Sequence, residues 1–244
     1  MLGLITGSGF YNLDAMTDAE VVKVDTPYGA VSLTKARWHG ATEMLFLPRH
    51  GSNHSVPPHA INYQANIWAL RESGATGVIA TAVSGGMADG LEPGHFVVID
   101  DFIDFTQGRK STFFEAPGNL VHSAMENPYD DDLRNLLIDA AQSAGVPLTK
   151  RGTYCATNGP RFETKAEIAM MRQAGGDLVG MTGCPEVVLA NELELPYASI
   201  GVISNRAAGL SDREFTVPEI MNVLAEAAPP LELMLSAVIE GYAS

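Results

Sequence analysis

Positive charge is scarce in this sequence: Lys and Arg number 15 against 29 Asp and Glu, for a formal net charge of −14. Nucleic-acid binding rests on phosphate neutralisation by clustered Lys and Arg, and an anionic membrane surface requires a polybasic segment. Neither cluster is present, so neither partner is expected. A small anionic ligand would have to be held by a few focused donors rather than by the overall field. Cysteine is scarcer still. Cys155 and Cys184 form neither a CxxC pair nor a disulfide framework, which points to a reducing compartment. There is no basic stretch ahead of the first apolar run and no run that reads as a membrane span. The expectation is therefore no signal peptide, no membrane segment and a cytoplasmic location. No repeat, low-complexity tract or linker interrupts the 244 residues, so 1–244 reads as a single domain, long enough to bury a full core.

What is present is an alternation of short apolar runs with stretches of helical period. Residues 2–6, 43–48, 77–83, 95–100, 151–156, 177–181 and 197–204 read as buried strands. Residues 61–73, 131–144, 164–173 and 186–193 read as helices, with Gly74, Gly145 and Gly175-Gly176 as stops. Thr164 with Glu167, and Thr216 with Glu219, fit capping boxes. Pro229-Pro230 is expected to break the C-terminal helical region in two, because proline lacks the N–H and clashes with the preceding turn. Strands alternating with helices predict an α/β sandwich. Residues 102–127 show no sustained period and read as a long ordered excursion, functional or interfacial, with Phe105, Phe113 and Phe114 as core or subunit contacts.

Chemistry-bearing residues gather at the ends of these elements. Gly7-Ser8-Gly9 after the first strand is either a plain turn or a place where N–H groups and a hydroxyl converge on an anion. Arg49-His50 ends the second strand with a planar fork and a ring donor, where ligands of open α/β sheets usually sit. His50, His54 and His59 raise the question of a metal. They lack a helical HExxH frame and a neighbouring carboxylate, so no metal is expected, and His59 reads as packing or as a helix cap. Ser84-Gly85-Gly86 imitates a hydrolase nucleophile elbow. That fold needs a late histidine, and the last one here is His122, so a Gly-rich oxyanion turn is the better reading. Residues 150–209 combine an aromatic ring, a carboxylate, a hydroxyl and a side-chain amide, a kit for a flat, hydrogen-bonding heterocycle.

Several long motifs, in order, carry a family resemblance. Gly7-Ser8-Gly9-Phe10, Arg49-His50-Gly51, Ile61-Asn62-Tyr63-Gln64-Ala65-Asn66-Ile67-Trp68-Ala69-Leu70, Gly159-Pro160-Arg161-Phe162, and Met181-Thr182 followed by Pro185-Glu186-Val187-Val188-Leu189-Ala190 resemble the purine nucleoside phosphorylase and methylthioadenosine phosphorylase family. The resemblance implies a central mixed β-sheet flanked by helices and a homotrimer. The implied activity is cleavage of an N-glycosidic bond with inorganic phosphate as co-substrate and no cofactor. It places Ser8, Arg49, His50, Thr81, Ala82 and Thr182 around the phosphate, with Asn205 and His50 as the catalytic pair. Met181 would lie under the ribose and Phe162 against the base. His122 would reach the neighbouring subunit's site.

The base and sugar positions then discriminate between substrates. The adenine-cleaving branch has aspartates at the strand tip that reads Asn205-Arg206-Ala207 here, and a small hydroxyl residue in place of Glu163. An amide can donate to a carbonyl at purine C6 and accept from a protonated N7, and Glu163 can accept from N1–H, which adenine lacks. The alternative is that Glu163 only caps its helix and Asn205 only closes a turn. The family's late histidine for the 5′-hydroxyl is missing, and Val217 resembles the valine of a methylthio pocket. The expectation is 5′-methylthioinosine as substrate. The alternatives are a general inosine and guanosine phosphorylase, a non-catalytic nucleoside-binding protein, and a metal-dependent hydrolase.

Overall fold

Alternate residues of the apolar runs serve opposite sides of one sheet. Leu4, Met44, Phe46 and Ile79 join one core layer, while Ile5, Leu45, Val78 and Ala80 join the other. The computed structural model describes every residue except 12, 52, 53, 117, 119, 120, 213, 214 and 244, and all but the side chain of Ala243. The chain begins β1 (Leu2–Thr6), β2 (Met16–Thr26), β3 (Gly29–Trp38), β4 (Thr42–Pro48), α1 (Tyr63–Glu72), β5 (Gly77–Gly86), β6 (Phe96–Val98) and β7 (Asp101–Asp104). It continues α2 (Asp131–Ala144), β8 (Leu148–Thr149), β9 (Thr153–Ala156), α3 (Lys165–Gln173), β10 (Leu178–Gly180), α4 (Glu186–Glu192), β11 (Tyr197–Arg206) and α5 (Val217–Ala243).

These strands form one mixed sheet that branches at β5. The first half of β5 pairs in parallel with β1, its last two residues pair antiparallel with β10, and nearly its whole length runs parallel to β11. Helices α1 and α4 cover one face, α2 and α5 the other, and α3 packs on a smaller cluster with Cys155, Val179 and Ala207. This is the α/β sandwich with a mixed central sheet. Local chemistry sets the helix starts. Asp130 accepts from Leu133 N ahead of α2, Thr164 and Glu167 form the expected capping box of α3, and Gly145 ends α2 in the left-handed region.

The structure departs from the sequence reading at five points. The edge hairpin β2–β3 had no sequence assignment, although Val31, Leu33, Ala36 and Trp38 bury one of its faces. Ser84-Gly85-Gly86 is not a turn but the paired end of β5, and a Cβ on Gly86 would collide with the carbonyl of Leu91. Asn62, not His59, caps α1, and His59 is exposed. Pro229 and Pro230 do not divide α5, which runs through them. The buried stripe Leu224, Ala227, Leu231, Leu235 and Val238 keeps helical spacing across both prolines, and the carbonyls they release belong to exposed Ala225 and Glu226, within reach of water. By length and composition the span Val217–Tyr242 also suffices to cross a membrane, contrary to the sequence reading, but its apolar stripe is occupied by the core layer it shares with α2.

Candidate active site

The ends of β1, β4, β10 and β11, with the second half of β5, surround a cavity of about 1100 Å³. Of the residues singled out from sequence, Ser8, Arg49, His50, Phe162, Glu163, Met181, Thr182, Asn205, Ala207 and Val217 line it. Thr81 and Ala82 do not. They are buried one turn of the pleat earlier in β5, and Val83, Ser84 and Gly85 reach the wall instead. The reason is the unexpected length of β5, which moves its open end towards Gly86. Thr81 still acts on the site from beneath, since its carbonyl accepts from Arg49 Nη1 at 2.9 Å. His122 is exposed and away from the cavity of its own chain. Ser52 and Asn53, in the loop after His50, lie outside the described residues.

The anion end is built on a buried ion pair that the sequence did not announce. Arg49 Nε and Nη2 each donate to one oxygen of Glu186 at 2.8 Å, and Tyr197 Oη donates to the same carboxylate at 2.7 Å. The two charged side chains are 1% and 0% exposed. Burial works to lower the Arg49 pKa, but the charge and hydrogen bonds of Glu186 outweigh it, so the guanidinium stays charged. Three of the five N–H groups are thus committed, and among the described residues nothing takes the remaining one on each Nη. Gly7 passes so close that a Cβ there would stand 3.2 Å from Arg49 Nη1. Gly9 combines φ of +85° with α5 close by, its Cβ position lying 3.0 Å from Leu224 Cβ, so the turn carrying Ser8 needs glycine.

His50 differs from the donor expected. Its Nδ1 lies 2.8 Å from the carbonyl of Val56, an acceptor, so Nδ1 carries the proton. Burial pushes the imidazole pKa down to about 4, with Arg49 and His54 adding to the shift against the Val56 bond. The ring is neutral near pH 7, which leaves Nε2 as an acceptor facing the Gly7 turn. Such a group suits an anion that brings a proton. The His54 ring lies tilted beside it, with centroids 4.9 Å apart, and accepts from Tyr11 Oη at 2.5 Å, an aromatic that sequence reasoning passed over.

At the other end of the cavity the two base-recognition candidates are held by hydroxyls. Ser204 donates to Asn205 Oδ1 at 2.8 Å, and Asn205 Nδ2 donates to the carbonyl of Arg206 at 2.8 Å. One N–H and one lone pair of the amide remain for a ligand. Thr157 donates to Glu163 Oε1 at 2.6 Å and leaves Oε2 without a bond from it. Arg161 grips Glu167 through both terminal nitrogens, and Glu167 is held down to about 2 by Arg161 and the backbone of Thr164. That clasp and the capping box fix the turn carrying Phe162 and Glu163. Phe215, Val217, Ile220, Met221 and Leu224 supply an apolar wall.

Two focused ends, one for an anion and one for a heterocycle, joined by an apolar wall, suit displacement at a sugar carbon. The sequence model of the phosphorylase superfamily matches residues 1–240. The chain belongs to the phosphorylase superfamily. The 6-oxopurine nucleoside phosphorylase of Pyrococcus furiosus is 43% identical over 244 residues, covering 98% of this chain and 91% of the relative. A protein of Xanthomonas campestris pv. campestris named probable S-methyl-5′-thioinosine phosphorylase is 43% identical over 243 residues, covering 98% and 97%. Among solved structures, methylthioadenosine phosphorylase from Schistosoma mansoni in complex with adenine superposes with a TM-score of 0.94 at 30% identity, covering 99% of this chain and 91% of that one.

Proposed function

We propose that this enzyme cleaves the N-glycosidic bond of a 6-oxopurine nucleoside with inorganic phosphate, and that 5′-methylthioinosine is its preferred substrate. Phosphate attacks the anomeric carbon as the bond to purine N9 breaks, giving hypoxanthine and 5-methylthioribose 1-phosphate. The electron pair of that bond passes to the base, which is protonated at N7, and the proton carried by phosphate balances the reaction. Ser8, Thr182, the free N–H groups of Arg49 and the acceptor Nε2 of His50 hold the protonated anion. Asn205 donates to the C6 carbonyl and accepts from N7–H, while Glu163 accepts from N1–H.

The observation that carries the reading is the fixed orientation of Asn205, with Ser204 on its oxygen. The alternative that Glu163 and Asn205 serve only the backbone is weakened because Thr164 supplies the α3 cap, and both named side chains border the cavity. The apolar wall from Phe215 to Leu224 supports a methylthio group at the sugar 5′ position. A broader inosine and guanosine phosphorylase is the second reading, favoured by the Pyrococcus relative's name. No organic cofactor or metal is proposed. The active form proposed is a homotrimer in which His122 reaches the adjoining site. Phe162 is 59% and Val217 63% exposed at the cavity rim, apolar surface that a neighbouring chain would cover.

Base release from 5′-methylthioinosine, inosine, guanosine and 5′-methylthioadenosine, each with and without phosphate, tests the proposal. Phosphate-dependent hypoxanthine release should dominate, with kcat/KM for the methylthio compound about tenfold above inosine, the modest ratio an apolar pocket can impose. Faster turnover of the adenine compound would overturn it. Equal rates on inosine would favour the second reading.

A further inference from the structure

We propose that Arg109 is a positioning residue that ties the base-side and phosphate-side loops of the site into one unit, an inference that rests on the phosphorolytic reading above. Arg109 comes from the long excursion between β7 and α2, and the proposed reaction assigns Arg109 itself no part. Its Nη2 donates to the carbonyls of Met181 at 2.7 Å and of Thr157 and Asn158 at 3.2 Å. Its Nη1 donates to the carbonyl of Cys184 and to Tyr63 Oη, and the guanidinium stands 5.2 Å from the centre of the Tyr63 ring.

The four carbonyls belong to two loops. Residues 157–158 follow β9 and lead into Phe162 and Glu163. Residues 181–184 follow β10 and carry Met181 and Thr182. Among the described residues every polar partner of Arg109 is neutral, so none of these bonds balances a carboxylate. Its Nε is buried and has no partner among the described residues. A buried unpaired N–H is costly, so the guanidinium's placement is set by the carbonyls its two ends reach. Lysine, with one compact ammonium, cannot span both loops from one place. Arg109 is not among the residues that line the cavity, so it acts on the site through the loop backbone it grips.

The test compares wild type with Arg109→Lys and Arg109→Ala by steady-state kinetics in both substrates, melting temperature, and activity with added methylguanidinium. Because both loops loosen together, KM should rise for nucleoside and for phosphate alike. The kcat/KM should fall about 30-fold in Arg109→Lys and about 100-fold in Arg109→Ala, the scale of a misplaced site. Methylguanidinium should restore about tenfold of the alanine variant's loss by refilling the gap. Variants whose kcat and both KM values stay within about twofold of wild type, even with a lower melting temperature, would reduce Arg109 to a fold contact and overturn the proposal. So would a change confined to one substrate. If Arg109→Ala does not fold, Arg109→Lys decides alone. A wild type without phosphate-dependent base release would instead sink the phosphorolytic reading. Calorimetric phosphate affinity then carries the comparison, and an unchanged value in Arg109→Lys overturns the proposal.

Discussion

His50 shows how burial and one backbone bond together set the proton chemistry of a side chain: burial keeps the ring neutral and the bond to Val56 chooses the tautomer. Its folded pKa of about 4 lies below the ordinary 6.5, so between those values the unfolded chain binds the extra proton. Stability contributed by the neutral ring is therefore present above pH 6.5 and is lost as pH falls towards 4. Thermal unfolding without phosphate should show that slope in wild type and a shallower one in His50→Gln. Asn205→Asp replaces the N–H proposed to meet a C6 carbonyl with a second acceptor. Its kcat/KM for 6-oxopurine nucleosides should drop by at least about 100-fold, and its relative activity on methylthioadenosine should rise. A variant with unaltered base preference would remove the central argument for the substrate. Glu186 has no contact with the proposed substrate, yet Glu186→Gln leaves a buried guanidinium without its counter-charge. The expected cost is about 3 kcal/mol in urea unfolding, with a raised KM for phosphate.

Among the elements, α5 is the one whose local rules and tertiary role disagree. Two interior prolines remove ladder bonds, and the helix persists because its buried stripe is continuous with the core shared with α2. Pro229 is exposed, and its replacement by Ala restores an N–H at little steric cost. Pro229→Ala should raise the unfolding free energy by about 1–3 kcal/mol, read from the urea midpoint, without changing turnover. The same helix brings Ile220, Met221 and Leu224 to the cavity wall, so on the proposed reading its first turns serve specificity while the rest serves stability.

For the whole molecule, the net charge of −14 opposes the approach of phosphate, so the proposed binding depends on local donors such as those around Arg49 and not on the overall field. Phosphate at 100 times its Kd should stabilise the folded chain by about 2.7 kcal/mol, visible as a rise in melting temperature. Light scattering should give about three times the 26.0 kDa chain mass if the rim of Phe162 and Val217 is covered by a neighbour. A monomer with full activity would remove both the trimer and the proposed role of His122.

Periodicity and turn chemistry were enough to specify the α/β class, the α3 capping box and the limits of α2, because each depends on residues within a turn or two of one another. The motif order likewise pointed to Ser8, Arg49, Glu163 and Asn205 as cavity residues. Tertiary structure alone decided the rest. Glu186 lies 137 positions from the Arg49 it neutralises, Arg109 reaches carbonyls up to 75 positions away, and β5 runs on to Gly86 only because β10 and β11 are there to pair with it. No local pattern marks such partners. A hydrogen bond between distant segments depends on where the packed sheet brings them, and a buried charge or an extended strand is tolerated only once that packing supplies its partner.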